Sequence, residues 1–180
     1  TSTLAATNGS TIDSSGDIRL FAVGMGIGGE NYGTGTGGDV TVNAATGGTI
    51  SAANQIFIQA MGGGEGPSIA QSTGSGTAGN VDFIADGGTI VAEVYNVDAS
   101  SSTVNVIGAG GTAQGGTIDV LARNGGEIRA ILDSTSNFNA SATTGSSAAG
   151  TAATGGTIQL IADGGRLNFD AGFILAAGGT

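Results

Sequence analysis

Apolar residues occur at every second position in short bursts, separated by polar, glycine-rich stretches. Thr117-Ile118-Asp119-Val120-Leu121-Ala122 alternates in this way, and residues 40–44, 81–85 and 157–162 do the same. A period of two belongs to a β-strand with one buried face. The β-branched residues that fill it are stiff at χ1 and are poor helix formers. Most bursts run into a glycine doublet followed by an aliphatic residue: GGTI at 47–50 and 87–90, GGEI at 125–128, GGRL at 164–167, and a degenerate GSTI at 9–12. The closing residues Ile12, Ile50, Ile90, Ile128 and Leu167 are separated by 38, 40, 38 and 39 positions. A fixed period near 39 predicts a repeat protein in which each repeat is one structural unit.

Each unit reads as three short strands followed by a Gly/Ser/Thr/Ala loop. The second has strands at 40–44, 49–53 and 56–60 and a loop at 61–79; the first has strands at 2–6, 11–14 and 17–22 and a loop at 24–38. The fourth has strands at 117–122, 127–132 and 138–142, and the fifth at 157–162, 166–170 and 173–177. The third is irregular: strands at 81–85 and 89–94, then an insertion, with the third strand placed at 103–107. The economical solution is one all-β domain over 1–180, a parallel β-helix or β-solenoid of about five coils (1–38, 39–79, 80–116, 117–156 and 157–180) with corresponding strands stacked in parallel. Two smaller coils per repeat remain open as an alternative. A propeller would need four antiparallel strands per blade.

Inside, the first strand supplies Val40/Val42, Val81/Phe83, Ile118/Val120 and Ile158/Leu160, each ending in a corner alanine. The second supplies the five GG-linked aliphatics, and the third Ile18/Leu20, Ile56/Ile58, Phe138 and Phe173/Leu175. Outside, Ile84, Leu121 and Ile161 form an aliphatic file on consecutive coils. Either the Gly-rich loop folds back over them or they make a lateral surface for another solenoid.

Composition narrows the function. The chain has 37 Gly, a net charge of −10, four basic residues, and no Cys or His. Nucleic-acid binding needs clustered positive charge, and thiol or imidazole chemistry is absent. No apolar run approaches the ~18 residues that would cross a membrane as a helix. The chain reads as a mature or excerpted segment, without an initiator Met or signal peptide.

No catalytic, cofactor-binding or metal-binding residue is assigned. GMGIGG at 24–29 lacks the following helix and the Lys of a phosphate loop. Asp86 and Asp163 share a turn position with Arg123 between them, which reads as a salt-bridged or solvated turn in preference to a metal site. Calcium held by loop carboxylates such as Glu30 and Glu65 is the one cofactor left open. Asp82 and Asp119 could stack as paired carboxylates, the minor alternative of a polysaccharide-acting enzyme. Tyr32 and Tyr95, the only tyrosines, lie in different repeats and make no sugar platform. Glu127 and Arg166 read as an exposed cross-strand pair. Thr11, Thr49 and Thr89 stack in one file that Glu127 and Arg166 interrupt, which weakens an ice-binding reading.

The pattern GGTIxLxADGG, an aliphatic strand, then AxATxGSxAxGxAxxGG before the next GGTI resembles the long repeats of filamentous haemagglutinin-like exoproteins and related autotransporter passengers. Residues 115–126 and 140–165 carry the likeness best. The resemblance implies a right-handed parallel β-helix, two-partner-type secretion and adhesive or structural work at the cell surface; it carries over no functional residue. The expected function is therefore an extracellular structural or adhesive solenoid, self-associating end to end and laterally through Ile84, Leu121 and Ile161. The alternative is a module that binds a receptor or glycan through the loops at 24–38 and 61–79.

Overall fold

The computed structural model describes residues 1–27, 33–65, 75–103, 111–131, 135–144, 152–169 and 171–179. Among them there is no helix, and so none long and apolar enough to cross a membrane. The first coil holds β1 (Ser2–Thr7), β2 (Thr11–Ser14), β3 (Ile18–Phe21), β4 (Gly24–Ile27) and β5 (Thr34–Thr36). The second holds β6 (Val40–Ala45), β7 (Thr49–Ala52), β8 (Gln55–Gln59), β9 (Gly62–Glu65) and β10 (Ser75–Thr77). The third holds β11 (Asn80–Asp86), β12 (Thr89–Ala92), β13 (Val94–Asp98), β14 (Ser101–Thr103) and β15 (Thr112–Gln114). The fourth holds β16 (Thr117–Arg123), β17 (Glu127–Ala130), β18 (Thr135–Asn139), β19 (Ala142–Thr144) and β20 (Ala152–Thr154); the last holds β21 (Thr157–Asp163), β22 (Arg166–Asn168), β23 (Ala171–Leu175) and β24 (Gly178–Gly179).

Every fifth strand pairs in parallel, giving five sheets along one axis. Sheet I is β1-β6-β11-β16-β21, sheet II β2-β7-β12-β17-β22, sheet III β3-β8-β13-β18-β23, sheet IV β4-β9-β14-β19-β24 and sheet V β5-β10-β15-β20. The chain is thus a parallel β-solenoid that advances one turn per repeat, with four complete turns and most of a fifth. The reading of two smaller coils per repeat is excluded.

Sheets I, II and III enclose the apolar core. Val40, Val42, Ile50, Ile56, Ile58, Val81, Phe83, Ile90, Val97, Ile118, Val120, Ile128 and Phe138 are buried in it. Burying each such side chain stabilises by about 2 kcal/mol. The files run in register, Leu4–Val42–Phe83–Val120–Leu160 on sheet I and Ile12–Ile50–Ile90–Ile128–Leu167 on sheet II.

The two glycines of each doublet act differently. In the turn after β16, Asn124 and Gly125 have φ of 52° and 79°, the left-handed region that Asn and Gly tolerate. Gly126 follows, and a Cβ there would overlap the Ala85 carbonyl of the coil before, with its carbon 2.6 Å away. The first glycine is required by conformation and the second by the close approach of the corner alanine.

Three expectations need correction. The Gly-rich segments are not loops: each carries two more strands, and these form sheets IV and V, packed on one another beside the core. Their facing positions are Gly24, Gly62, Ser101, Ala142 and Gly178 on one side and Gly35, Gly76, Ala113 and Ala153 on the other. Small residues hold the two backbones close enough to make a thin fin. In the third coil there is no insertion before strand three, which is Val94–Asp98, with Val97 in register with Ile58 and Phe138. Thr103 ends β14 in sheet IV, and residues 104–107 of the strand placed at 103–107 lie outside the described residues. In the last coil Ile174, not Phe173 or Leu175, continues the inward file above Phe138. Phe173 is on the opposite face, 71% exposed.

Candidate functional site

Extended parallel stacking repeats each outward residue at the spacing of one coil, ~4.8 Å, so side chains on neighbouring coils form ladders. Arg123 reaches down to Asp86, with Nη2–Oδ2 at 2.8 Å and Nε–Oδ2 at 3.0 Å, and Asn124 Nδ2 donates to Asp86 Oδ1 at 2.6 Å. The Asn124 amide and then the Arg123 guanidinium hold the Asp86 carboxyl below its ordinary value. Of the two readings of this turn, salt-bridged or solvated, the first holds between Asp86 and Arg123. Arg166 Nε stands 4.0 Å from Glu127 Oε1, the expected cross-strand pair, and Glu127 also has Arg129 Nε at 3.7 Å. Such exposed pairs contribute little to stability.

These ladders have a direction that was not apparent in the sequence. Ser51 donates to Asp13, Gln55 to Asp17 (3.1 Å), Asn80 to Asp39 (3.1 Å) and Asn139 to Asp98 (3.2 Å). In each of these pairs, as in Asp86/Arg123, Asp86/Asn124 and Glu127/Arg166, the carboxylate is on the earlier coil and the donor on the later one. The two ends of the coil stack are thus chemically different.

Asp82 and Asp119 do stack in register on the outer face of sheet I, in the file Thr3–Thr41–Asp82–Asp119–Gln159. Desolvation, then the carboxylates of Asp119 and Asp39, push the Asp82 carboxyl above its ordinary value, and Asp119 Oδ1 is enclosed without a hydrogen-bond partner. The native state holds the Asp82 proton more tightly than the unfolded chain, so this residue favours folding at low pH and opposes it once the native carboxyl has ionised. Asp82→Asn is expected to raise the melting temperature at neutral pH, the gain shrinking as pH falls through ~4. Melting curves of both proteins across pH check this; equal stability at neutral pH would show that neither burial nor the neighbouring carboxylates disfavour the ionised Asp82.

Ile84, Leu121 and Ile161 form one outward file with Asn43. The described strands of the Gly-rich segments pack on one another in the fin, and within the file Ile84 and Leu121 are half-buried while Ile161, on the last coil, is exposed. Gly24–Ile27, the start of the glycine-spaced motif, is a strand stacked on β9. Glu30 and Tyr32 lie outside the described residues, as does the side chain of Glu65. On sheet II, Thr11, Thr49 and Thr89 share one file with Glu127 and Arg166. On the outer face of sheet IV, Val23, Met25, Met61, Gly62, Gly63 and Ser102 line a shallow apolar depression of about 110 Å³.

These features define the class of the molecule as a parallel β-solenoid repeat protein. No family model, curated protein or solved structure matches the chain.

Proposed function

We propose that this chain is the shaft of an extracellular fibre or adhesin stalk, a structural element in which coil stacks upon coil. The observation that carries the reading is the uninterrupted course of the aliphatic files of sheets I and II along the axis through all five coils. Each coil covers the apolar face of its neighbour and pairs strand edges that are otherwise templates for addition. The resemblance to filamentous haemagglutinin-like exoproteins adds secretion and the cell surface to this reading. The net charge of −10 would keep neighbouring shafts apart in water.

Electron microscopy of the purified chain over a range of concentrations tests the reading. Filaments many times longer than the roughly 25 Å of one five-coil stack are expected; a field of uniform single stacks would refute it. The second reading, a binding module, is favoured by the apolar depression beside Met25, which is 56% exposed on the fin. Replacing the two methionines of the depression together, Met25→Ser with Met61→Ser, separates the two. Intact filaments that no longer adhere would favour binding, and unchanged adhesion would favour the shaft alone.

A further inference from the structure

Asn-Gly occurs twice in the chain, at Asn8-Gly9 and Asn124-Gly125. Both fall in the turn from sheet I to sheet II, with φ of 53° and 75° in the first and 52° and 79° in the second. The second coil makes the same turn with Thr46 and Gly47. The dipeptide is chemically labile, because glycine has no Cβ to obstruct closure of a five-membered ring on the asparagine before it. The glycine nitrogen attacks the asparagine Cγ. A C–N bond forms, the Cγ–Nδ2 bond breaks, and the side-chain nitrogen leaves as ammonia with the proton of the glycine amide. Water then opens the ring to an aspartyl or isoaspartyl linkage. All four residues are exposed, so water reaches both turns.

The next coil holds the reaction back. Gly125 N–H donates to the Gly164 carbonyl at 2.6 Å, and Gly9 N–H to the Thr46 carbonyl at 3.1 Å. A nitrogen engaged in this way keeps its proton and cannot swing towards Cγ until the bond is given up. Asn124 is held from the other side as well, since its Nδ2 donates to Asp86 Oδ1 at 2.6 Å on the coil before. Its turn lies between two glycine turns: a Cβ on Gly87 would stand 3.4 Å from the Asn124 carbonyl oxygen, and one on Gly164 3.9 Å from the Asn124 nitrogen. We propose that Asn124 is a deamidation site gated by the fifth coil. While β21 and β22 lie on β16 and β17, the Gly125 amide is closed. When they lift, it is free and Asn124 converts. The product sets a carboxylate where an amide donated to Asp86, so the coils cannot re-form that bond and the opening is recorded irreversibly. The gate belongs to the coil stack itself and does not depend on the shaft reading.

Peptide mass mapping of the whole chain after timed incubation reads each site through the exchange of –NH2 for –OH. The opened fraction sets the rate, so Asn124 is expected to convert at least about ten-fold more slowly in the folded chain than in denaturing urea at the same pH. Exchange of the Gly125 amide proton reports the same opening, and the two rates should rise together through sub-denaturing urea. Gly165→Ala opens the gate locally, because its methyl would stand 2.5 Å from the Ala122 carbonyl carbon and push the fifth coil off the fourth. It should speed Asn124 about ten-fold and leave Asn8, which the second coil covers, at the parent rate. A variant that unfolds throughout would speed both sites, and the urea series on the parent then carries the test alone. Conversion of Asn124 as fast in the folded chain as in urea would overturn the gate. So would a Gly165→Ala chain whose Gly125 amide exchanges faster while Asn124 converts no faster than in the parent.

Discussion

Gly62→Ala is expected to destabilise the solenoid by about 3 kcal/mol, with the loss concentrated in the fin, whereas Gly63→Ala next to it is expected to be neutral or slightly stabilising. Both residues lie in β9, in the same backbone conformation class, but point to opposite sides. A methyl on Gly62 would overlap the Thr77 carbonyl outright, with the Thr77 amide nitrogen only 2.8 Å away. The obstacle is backbone that is itself bonded into sheet V, so it cannot rotate aside as a side chain can. Relief requires sheets IV and V to part, which breaks the packing of neighbouring coils as well. Overpacking of this kind costs roughly 1–3 kcal/mol even where side chains can move, and here they cannot. Gly63 faces outward, with Ser102 Oγ at 4.0 Å as its nearest neighbour. An alanine there removes conformational freedom from the unfolded chain, worth about 0.4–1 kcal/mol of stability. Urea unfolding of the two variants, with amide exchange read across β4, β9, β5 and β10, checks the contrast. Equal midpoints would mean that the fin is not the close-packed layer described above.

The fin also shows where sequence reading stops. Sheets I and II are legible because their inward positions are Val, Ile, Phe and Leu in strict alternation, interrupted at fixed intervals by the glycine doublet. In sheets IV and V the same alternation exists but is written in residues that carry no hydrophobic signal: Gly24 and Gly26, Gly62 and Gly64, Ser101 and Thr103. β-propensity reflects packing of side chains on a pleated surface, and glycine has none. Composition therefore reads as loop although the backbone is extended and paired. The signal that could have found these strands is positional: a three-residue unit, TGT, SGT, TAQ and AAT, shortly before the next coil begins at 34–36, 75–77, 112–114 and 152–154. The phase error at Phe173-Ile174-Leu175 has a different cause. Three consecutive apolar residues fit either face, and only the stacking of Ile174 on Phe138 decides between them. The Asp86–Arg123 and Glu127–Arg166 contacts were readable because the repeat length places those residues one coil apart. The Asn124–Asp86 bond, and the polarity it shares with the other ladders, depends on turn geometry that spacing alone does not supply.

Tyr95→Ala is expected to cost about 4 kcal/mol and Tyr95→Phe about 2 kcal/mol, both larger than the effect of any exposed ladder residue. Tyr95 occupies a position that is Ile18 and Ile56 on the two coils before it and is wholly buried. On the coils after it the file carries small residues, Ser136 and Gly172, which are themselves in register; Ser136 Oγ accepts from the Tyr95 amide at 3.3 Å. The ring meets Phe83 edge-on at 5.7 Å and Phe169 at 5.4 Å, and Phe169 meets Phe138 at 5.4 Å, so four aromatics link three coils through the core. Deleting the central ring leaves a cavity between stacked coils that cannot collapse without breaking the ladders, which places the alanine variant within the 3–5 kcal/mol found for large aromatic deletions. The hydroxyl lies 3.0 Å from both the Ile90 and Arg129 carbonyls and shares its one proton between them. Removing it strands buried acceptors, a loss of about 1–3 kcal/mol. Burial pushes the Tyr95 phenol well above its ordinary value. The unfolded chain therefore ionises first, so the native state keeps this contribution below about pH 10 and loses it progressively as pH rises further. Thermal melts from neutral to strongly alkaline pH should show a decline in the parent that Tyr95→Phe lessens, and the Tyr95 phenolate should appear only as the chain unfolds. A Tyr95 that titrates in the folded protein at an ordinary pH would mean that the hydroxyl is open to water and that the aromatic link between the coils is not closed.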